Sequence, residues 1–253
     1  MSYRTFAIGD IHGELPPLLR ILERLPPLDA RDTIVFVGDY IDRGDHSKQV
    51  IDYVRRLPRR TPAKVICLRG NHEDAWLRVL EKGWPEFVLV ATNGCRPTME
   101  SFVGRQLSED GDMPDADDLR ALLTGTFFPP DVVEWMKNLL HFYEDDHAIY
   151  VHAGLPKAPG GGYLHPSQAE DPKARAQLLW CRDKEFVKTY RGKRVVFGHT
   201  MTTCLPPELS SYTPEDPGDI WIGHSVIGLD TGCGKGGFLT AIEFPSMRVY
   251  ESR

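Results

Sequence analysis

No stretch of this chain approaches the ~20 consecutive apolar residues that a membrane-spanning helix needs, so membrane insertion is not expected. The first apolar run, Phe6-Ala7-Ile8, stops at Asp10 and His12, without the longer apolar core and small-residue cleavage site of a secretory leader. Cysteine is sparse as well. The five residues (Cys67, Cys95, Cys181, Cys204, Cys233) are scattered and form no CxxC pair, which argues against a disulfide framework or a zinc knuckle. Reduced thiols in a cytoplasmic protein are the expectation. An excess of basic residues is also missing: the formal net charge is -6, so nucleic acid is not an expected partner. Repeats and low-complexity tracts are absent, and no composition break marks a linker. With 41% hydrophobic and 26% charged residues the chain can bury a full core, and residues 1–253 are read as one domain.

What is present is an alternation. Strand-like runs at Thr5–Ile8, Thr33–Val37 and Lys64–Leu68 are separated by amphipathic stretches at Leu15–Leu25, Ser47–Leu57 and His72–Leu80. Short β-branched runs between helices read as βαβ units around a buried sheet. Residues 84–146 read as mostly helical, with helices expected over Pro97–Val103, Asp117–Leu123 and Asp131–Phe142. Strand-like runs return at Ala148–Val151, Arg194–Phe197, Val226–Leu229 and Phe238–Phe244, separated by irregular segments Pro156–Asp171 and Leu205–Gly223. The acidic stretch Glu109–Asp112 lacks the ligand order and closing Glu of a calcium loop, and reads as a solvated loop.

Five of the strand-like runs end alike, in a glycine-containing loop that carries a metal-competent side chain. These are Gly9-Asp10-Ile11-His12-Gly13, Gly38-Asp39-Tyr40-Ile41-Asp42-Arg43-Gly44, Arg69-Gly70-Asn71-His72-Glu73, His152-Ala153-Gly154 and Gly198-His199-Thr200. In α/β sheets ligands bind beyond the carboxyl ends of the strands, so these loops are expected to converge. Asp10, Asp39 and Asn71 offer oxygen, while His12, His152 and His199 offer imidazole nitrogen, a mixture suited to Mn²⁺, Fe or Zn²⁺. Six such ligands exceed the needs of one catalytic metal. Two cations about 3.5–4 Å apart with a shared carboxylate account for them.

The motifs GDIHG at 9–13, GDYIDRG at 38–44 and RGNHE at 69–73, with the later His152 and Gly198-His199, resemble the phosphoprotein-phosphatase family of metallophosphoesterases over residues 5 to 240. The resemblance implies an α/β fold, a β-sandwich of two mixed sheets flanked by helices, with the metals at one edge. It implies that Asp10, His12 and Asp39 hold one metal and that Asp39, Asn71, His152 and His199 hold the other, the pair being Mn²⁺ with Fe or Zn²⁺ as alternatives. A bridging hydroxide would attack phosphorus, and His72, oriented by Asp42, would protonate the leaving oxygen. Arg43, Arg69 and Arg182 would line the phosphate site. The expected substrate is a phosphoprotein, making the chain a Ser/Thr-type protein phosphatase. The alternative is a symmetrical dinucleoside tetraphosphate hydrolase, which the tail Leu229-Asp230-Thr231-Gly232-Cys233 and Gly236-Gly237 also resembles. A non-catalytic phosphate-binding scaffold is the remote third reading. Asp42 and Glu73 favour the phosphatase, because those hydrolases typically lack the first and carry Asp at the second. The glycine-rich Gly232–Gly237 lacks Walker spacing and reads as a turn. His46, His141, His147, His165 and His224 match no ligand position.

Overall fold

The computed structural model describes residues 3–108, 114–212, 216 and 218–253; the acidic stretch 109–112 lies outside these. The chain opens with strand β1 (Thr5–Ile8), helix α1 (Leu15–Arg24), β2 (Thr33–Phe36), α2 (Ser47–Arg56), β3 (Lys64–Cys67) and α3 (Asn71–Lys82). Four shorter helices follow: α4 (Pro85–Val88), α5 (Cys95–Val103), α6 (Ala116–Thr124) and α7 (Pro130–Lys137). Next come β4 (Phe142–Glu144), β5 (Ile149–Val151), α8 (Pro172–Trp180), α9 (Lys184–Thr189) and β6 (Val195–Phe197). The chain closes with β7 (Trp221–Ile222), β8 (Val226–Gly228), β9 (Thr240–Phe244) and β10 (Arg248–Glu251).

The strands form two mixed five-stranded sheets, ordered β10-β9-β1-β2-β3 and β4-β5-β6-β8-β7. Parallel pairs β1–β2 and β2–β3 build the first around its crossover helices, and β5–β6 and β6–β8 do so in the second. Side chains alternate between faces along a strand, and that period of two sorts the core. Ala7, Val35, Tyr150 and Val196 point between the sheets into a shared cluster with Ile227, Ile242 and Phe244. Their neighbours Phe6, Ile8, Ile34 and Phe36 face the helices α1 to α7. Ile149, Val151, Val195 and Phe197 face α8 and α9. The result is the expected sandwich flanked by helices.

Two expectations need correction. The helix read over Asp131–Phe142 ends at Lys137, and Phe142 begins β4. Beyond the helix, Leu140 takes a parallel bridge to Leu68 just past β3. The Arg69 N–H donates to the Leu140 carbonyl at 2.7 Å. An unpaired sheet edge thus captures residues whose local pattern is still helical. Within Leu205–Gly223, read as irregular, Trp221 and Ile222 form β7 against β8. The turn Gly232–Gly237 is as expected: the Lys235 N–H donates to the Gly232 carbonyl at 2.8 Å.

Candidate metal centre

Strands β1, β2, β3, β5 and β6 all deliver their following loops to one edge of the sandwich. There the backbone is bent into a conformation that side chains rarely adopt. His12, Asp39, Asp42, Arg43 and His199 have φ of 49°, 55°, 71°, 75° and 61°, and Met247 is the one other such non-glycine residue among the described residues. Left-handed backbone costs roughly 1–3 kcal/mol per residue and persists where surrounding structure enforces it, commonly at functional sites. Here the enforcement is visible. The Ile11 and His12 N–H groups both donate to the Asp39 carbonyl, and Gly13 donates to Tyr40, tying the first loop to the second. Glu73 ties the second to the third: its carboxylate accepts from the Asp39, Tyr40 and Gly70 N–H groups at 3.1, 2.8 and 2.9 Å. Burial and the Asp39 charge nonetheless raise the Glu73 pKa to about 8.

The six expected ligands are all buried. Donor atoms of Asp39, His152 and His199 lie within 4.8 Å of one another, as do those of His12, Asp39 and His72. Asp39 is common to both groups, and the first of them contains His72 rather than the expected Asp10. His12 donates from Nδ1 to the Ile41 carbonyl at 3.0 Å, and His152 from Nδ1 to the Val37 carbonyl at 2.9 Å. Both rings therefore present the Nε2 lone pair inward, the tautomer a metal ligand needs. Asp10 joins the two sheets by accepting the His199 N–H on Oδ2 at 2.8 Å. A Cβ on Gly198 would stand 1.9 Å from Asp10 Oδ1, so only glycine fits there.

The donor set fits divalent cations on its own chemistry. Asp10 Oδ1 and His199 Nε2 are buried with no hydrogen-bond partner. His152 Nε2 lies 2.9 Å from Asn71 Oδ1, so with its Nδ1 proton committed a lone pair faces an acceptor. Orphaned and opposed acceptors in a dry site cost several kcal/mol unless a cation satisfies them. Charge balance points the same way. Burial, with the Asp230 and Asp39 charges, raises the Asp10 pKa well above its usual range. Burial works against the Asp39 carboxylate too, but His152, His72, His12 and Arg43 outweigh it and pull its pKa down. Burial lowers His12, His152 and His199, favouring the neutral rings that coordinate metals.

His72 stands apart from the other histidines. Its Nδ1 lies 2.7 Å from Asp42 Oδ2. Asp42, fully buried, is held in turn by Trp76 Nε1 at 2.9 Å and Thr98 Oγ1 at 2.7 Å. Burial lowers the His72 pKa, but Asp39 and Asp42 exceed that effect and raise it overall. The other ring nitrogen, Nε2, lies 3.3 Å from an Arg43 guanidinium nitrogen.

A cavity of about 360 Å³ opens from this cluster, lined by Arg43, Asn71, His72, Arg182 and His199 and walled by Trp84, Phe87 and Trp180. Arg43 and Arg182, expected at the phosphate site, both line this cavity. Arg69 does not: its guanidinium donates to the Lys137 carbonyl at 2.6 Å and lines a separate hollow with Leu77, Leu80 and Val133. That carbonyl belongs to Lys137, the last residue of α7. His46, His141, His147, His165 and His224 take no part in either ligand group, and none of the five cysteines forms a disulfide. Among the described residues no helix is long and apolar enough to cross a membrane.

Residues that sequence reasoning missed also gather here. Asp230, buried at the end of β8, acts electrostatically on Asp10 and repeats the pattern of an acid after an apolar run. Lys235 lines the cavity from the glycine-rich turn. Trp84 and Trp180, with ring centroids 5.8 Å apart, carried no sequence signal.

A sequence model described as calcineurin-like phosphoesterase matches residues 3–202. A symmetrical bis(5'-nucleosyl)-tetraphosphatase of Stutzerimonas stutzeri is 30% identical over 154 residues, 60% of this chain and 44% of that enzyme. The chain therefore spans less than half the length of such curated relatives. A catalytic chain of protein phosphatase 2A from Dictyostelium discoideum is 38% identical over 67 residues, 26% of this chain and 21% of that protein. The crystal structure of a metallophosphoesterase from Sphaerobacter thermophilus superposes with a TM-score of 0.53 at 15% identity, covering 98% of this chain and 87% of that one.

Proposed function

The chain belongs to the calcineurin-like phosphoesterase family, and from that premise we propose that it hydrolyses dinucleoside polyphosphates, cleaving a dinucleoside tetraphosphate symmetrically. The observation that carries this reading is the aromatic wall of Trp84, Phe87 and Trp180 on the cavity that holds Asn71, His72 and His199. A planar base stacks on such rings while its phosphates reach the cluster. The enzymes named as symmetrical tetraphosphatases, to which about 60% of the chain is similar, support the same substrate.

Asp10, His12 and Asp39 would hold one divalent cation, and Asp39, Asn71, His152 and His199 the other; the oxygen and nitrogen donors suit Mn²⁺, with Fe or Zn²⁺ as alternatives. Two bound cations would neutralise phosphoryl oxygens and bring the pKa of water near neutrality. The protein's own groups do the rest. Arg43 and Arg182 orient the phosphoryl group, since a guanidinium can contact two oxygens at once. His72, held by Asp42, offers an Nε2 proton to the leaving oxygen. Six buried candidate ligands beside His72 support a catalytic role over a non-catalytic scaffold.

The His72–Asp42 pair favours a second reading, a Ser/Thr-type phosphoprotein phosphatase. An alkoxide leaves poorly and needs a proton, whereas a nucleotide phosphate leaves well without one. The deciding experiment compares kcat/KM for diadenosine tetraphosphate and a phosphoserine peptide on one manganese-loaded preparation, with nucleotide products resolved by chromatography. Higher efficiency on the dinucleotide, with ADP as the nucleotide product, is expected. A preference for the peptide would overturn the first reading and install the second.

A further inference from the structure

Gly232–Gly237, with no Walker spacing, is still more than a connection. Gly234, at φ 76°, packs so tightly that a Cβ there would stand 2.6 Å from His12 Cβ. Cys233 is anchored below through Sγ to the Ile11 carbonyl at 3.4 Å. Two backbone N–H groups, of Lys235 and Gly237, donate to the Gly232 carbonyl at 2.8 and 3.0 Å and close the turn. A turn clamped to a ligand loop presents its outermost side chain, Lys235, at a defined place on the cavity wall.

Arg43, Arg182 and Lys235 line this one cavity. Among the described residues no ion pair holds any of the three, and the acid in the cavity lining, Glu86, pairs with none of them. Partial burial and the Arg43 and Arg182 charges push the Lys235 pKa down, with Asp230 acting the other way. The three cations share one wall, with the buried carboxylates Asp39 and Asp230 as their nearby counter-charges, and together they can receive an anion that enters the cavity. Two guanidiniums already provide enough donors for the three terminal oxygens of one phosphoryl group. A third, a point charge on a flexible stem, is surplus to a monoester.

We infer that Lys235 binds a second phosphoryl group, joined to the reacting one through a bridging oxygen, and so selects polyphosphate chains over monoesters. This rests on the polyphosphate-hydrolase reading above. Lys235 is a specificity-determining residue under this assignment, acting by contact with substrate away from the reacting phosphorus.

Two measurements test it, one of them independent of turnover. Calorimetric binding of inorganic tripolyphosphate and of orthophosphate to the manganese-loaded protein should favour tripolyphosphate by about tenfold or more, the contribution of one charge-assisted contact. Lys235→Met, which keeps the stem and removes the charge, should collapse that ratio toward one, and Lys235→Arg should restore most of it. In kinetics, Lys235→Met should raise KM for diadenosine tetraphosphate about tenfold more than KM for an aryl monophosphate, with kcat changed little on either. A variant that keeps the wild-type tripolyphosphate preference, or a wild type without one, overturns the inference. Weak turnover of diadenosine tetraphosphate beside an intact tripolyphosphate preference instead sinks the substrate reading and leaves the second-phosphoryl site standing.

Discussion

Asp42→Asn isolates the acid role of His72. The substitution keeps the shape of a side chain that is fully buried among Trp76, Thr98 and His72. An amide oxygen can still accept from Trp76 and Thr98. Its nitrogen, however, offers protons where the ring 2.7 Å away needs an acceptor. A hydrogen bond to a charged group contributes about 1.5–3 kcal/mol, which converts to roughly 10- to 150-fold. That loss should fall on kcat for a phosphoserine peptide, whose leaving oxygen must be protonated. For diadenosine tetraphosphate, whose leaving group is already a good one, about a threefold loss or less is expected. The pH profile gives an independent check. Asp39 and Asp42 raise the His72 pKa against the effect of burial. Activity that needs the protonated ring is lost as pH rises through that pKa, so removing Asp42 should move the alkaline limb toward lower pH. Steady-state kinetics on the two substrates, across the neutral and alkaline range, would show both effects. Equal losses on ester and anhydride, or a limb that stays in place, would refute the assignment of His72 as proton donor.

Asp39→Asn should strip both metals, because one carboxylate serves both ligand groups; elemental analysis that finds the wild-type metal content would contradict the shared role. Glu73→Gln should destabilise the fold by about 1–3 kcal/mol, since an amide nitrogen cannot accept from the backbone donors that a carboxyl oxygen, protonated or not, receives, and chemical denaturation would measure it. The same residue predicts a pH trend for the metal-free protein. With a folded pKa of about 8 above an ordinary 4.5, its contribution is full below pH 4.5 and is lost as pH rises toward 8. Glu73→Gln should flatten that slope, and an unchanged slope would place the titration elsewhere.

The chain order alone pointed to the candidate metal donors. Asp10, His12, Asp39, Asn71, His152 and His199 were legible because each follows an apolar run and a sheet sends such loops to one edge. The strand and helix pattern was legible for the same local reason, since periods of two and of three to four appear in any short window. Pairing across the sheet was not. Phe142 left its helical pattern because β5 offered it an edge, and Trp221 became a strand because β8 did.

Side-chain direction was equally hidden. Arg43 and Arg69 both sit in ligand-bearing motifs, yet one faces the cavity and the other a helix end. Backbone φ decides the first and a neighbouring carbonyl the second. Trp84 and Trp180 meet although they lie far apart along the chain, and Lys235 reaches the site only because Gly234 packs on His12. Residue type and spacing determined which atoms could bind metal. The packing of two sheets decided which charges and rings surround the substrate, because those contacts join segments that have no local relation to one another.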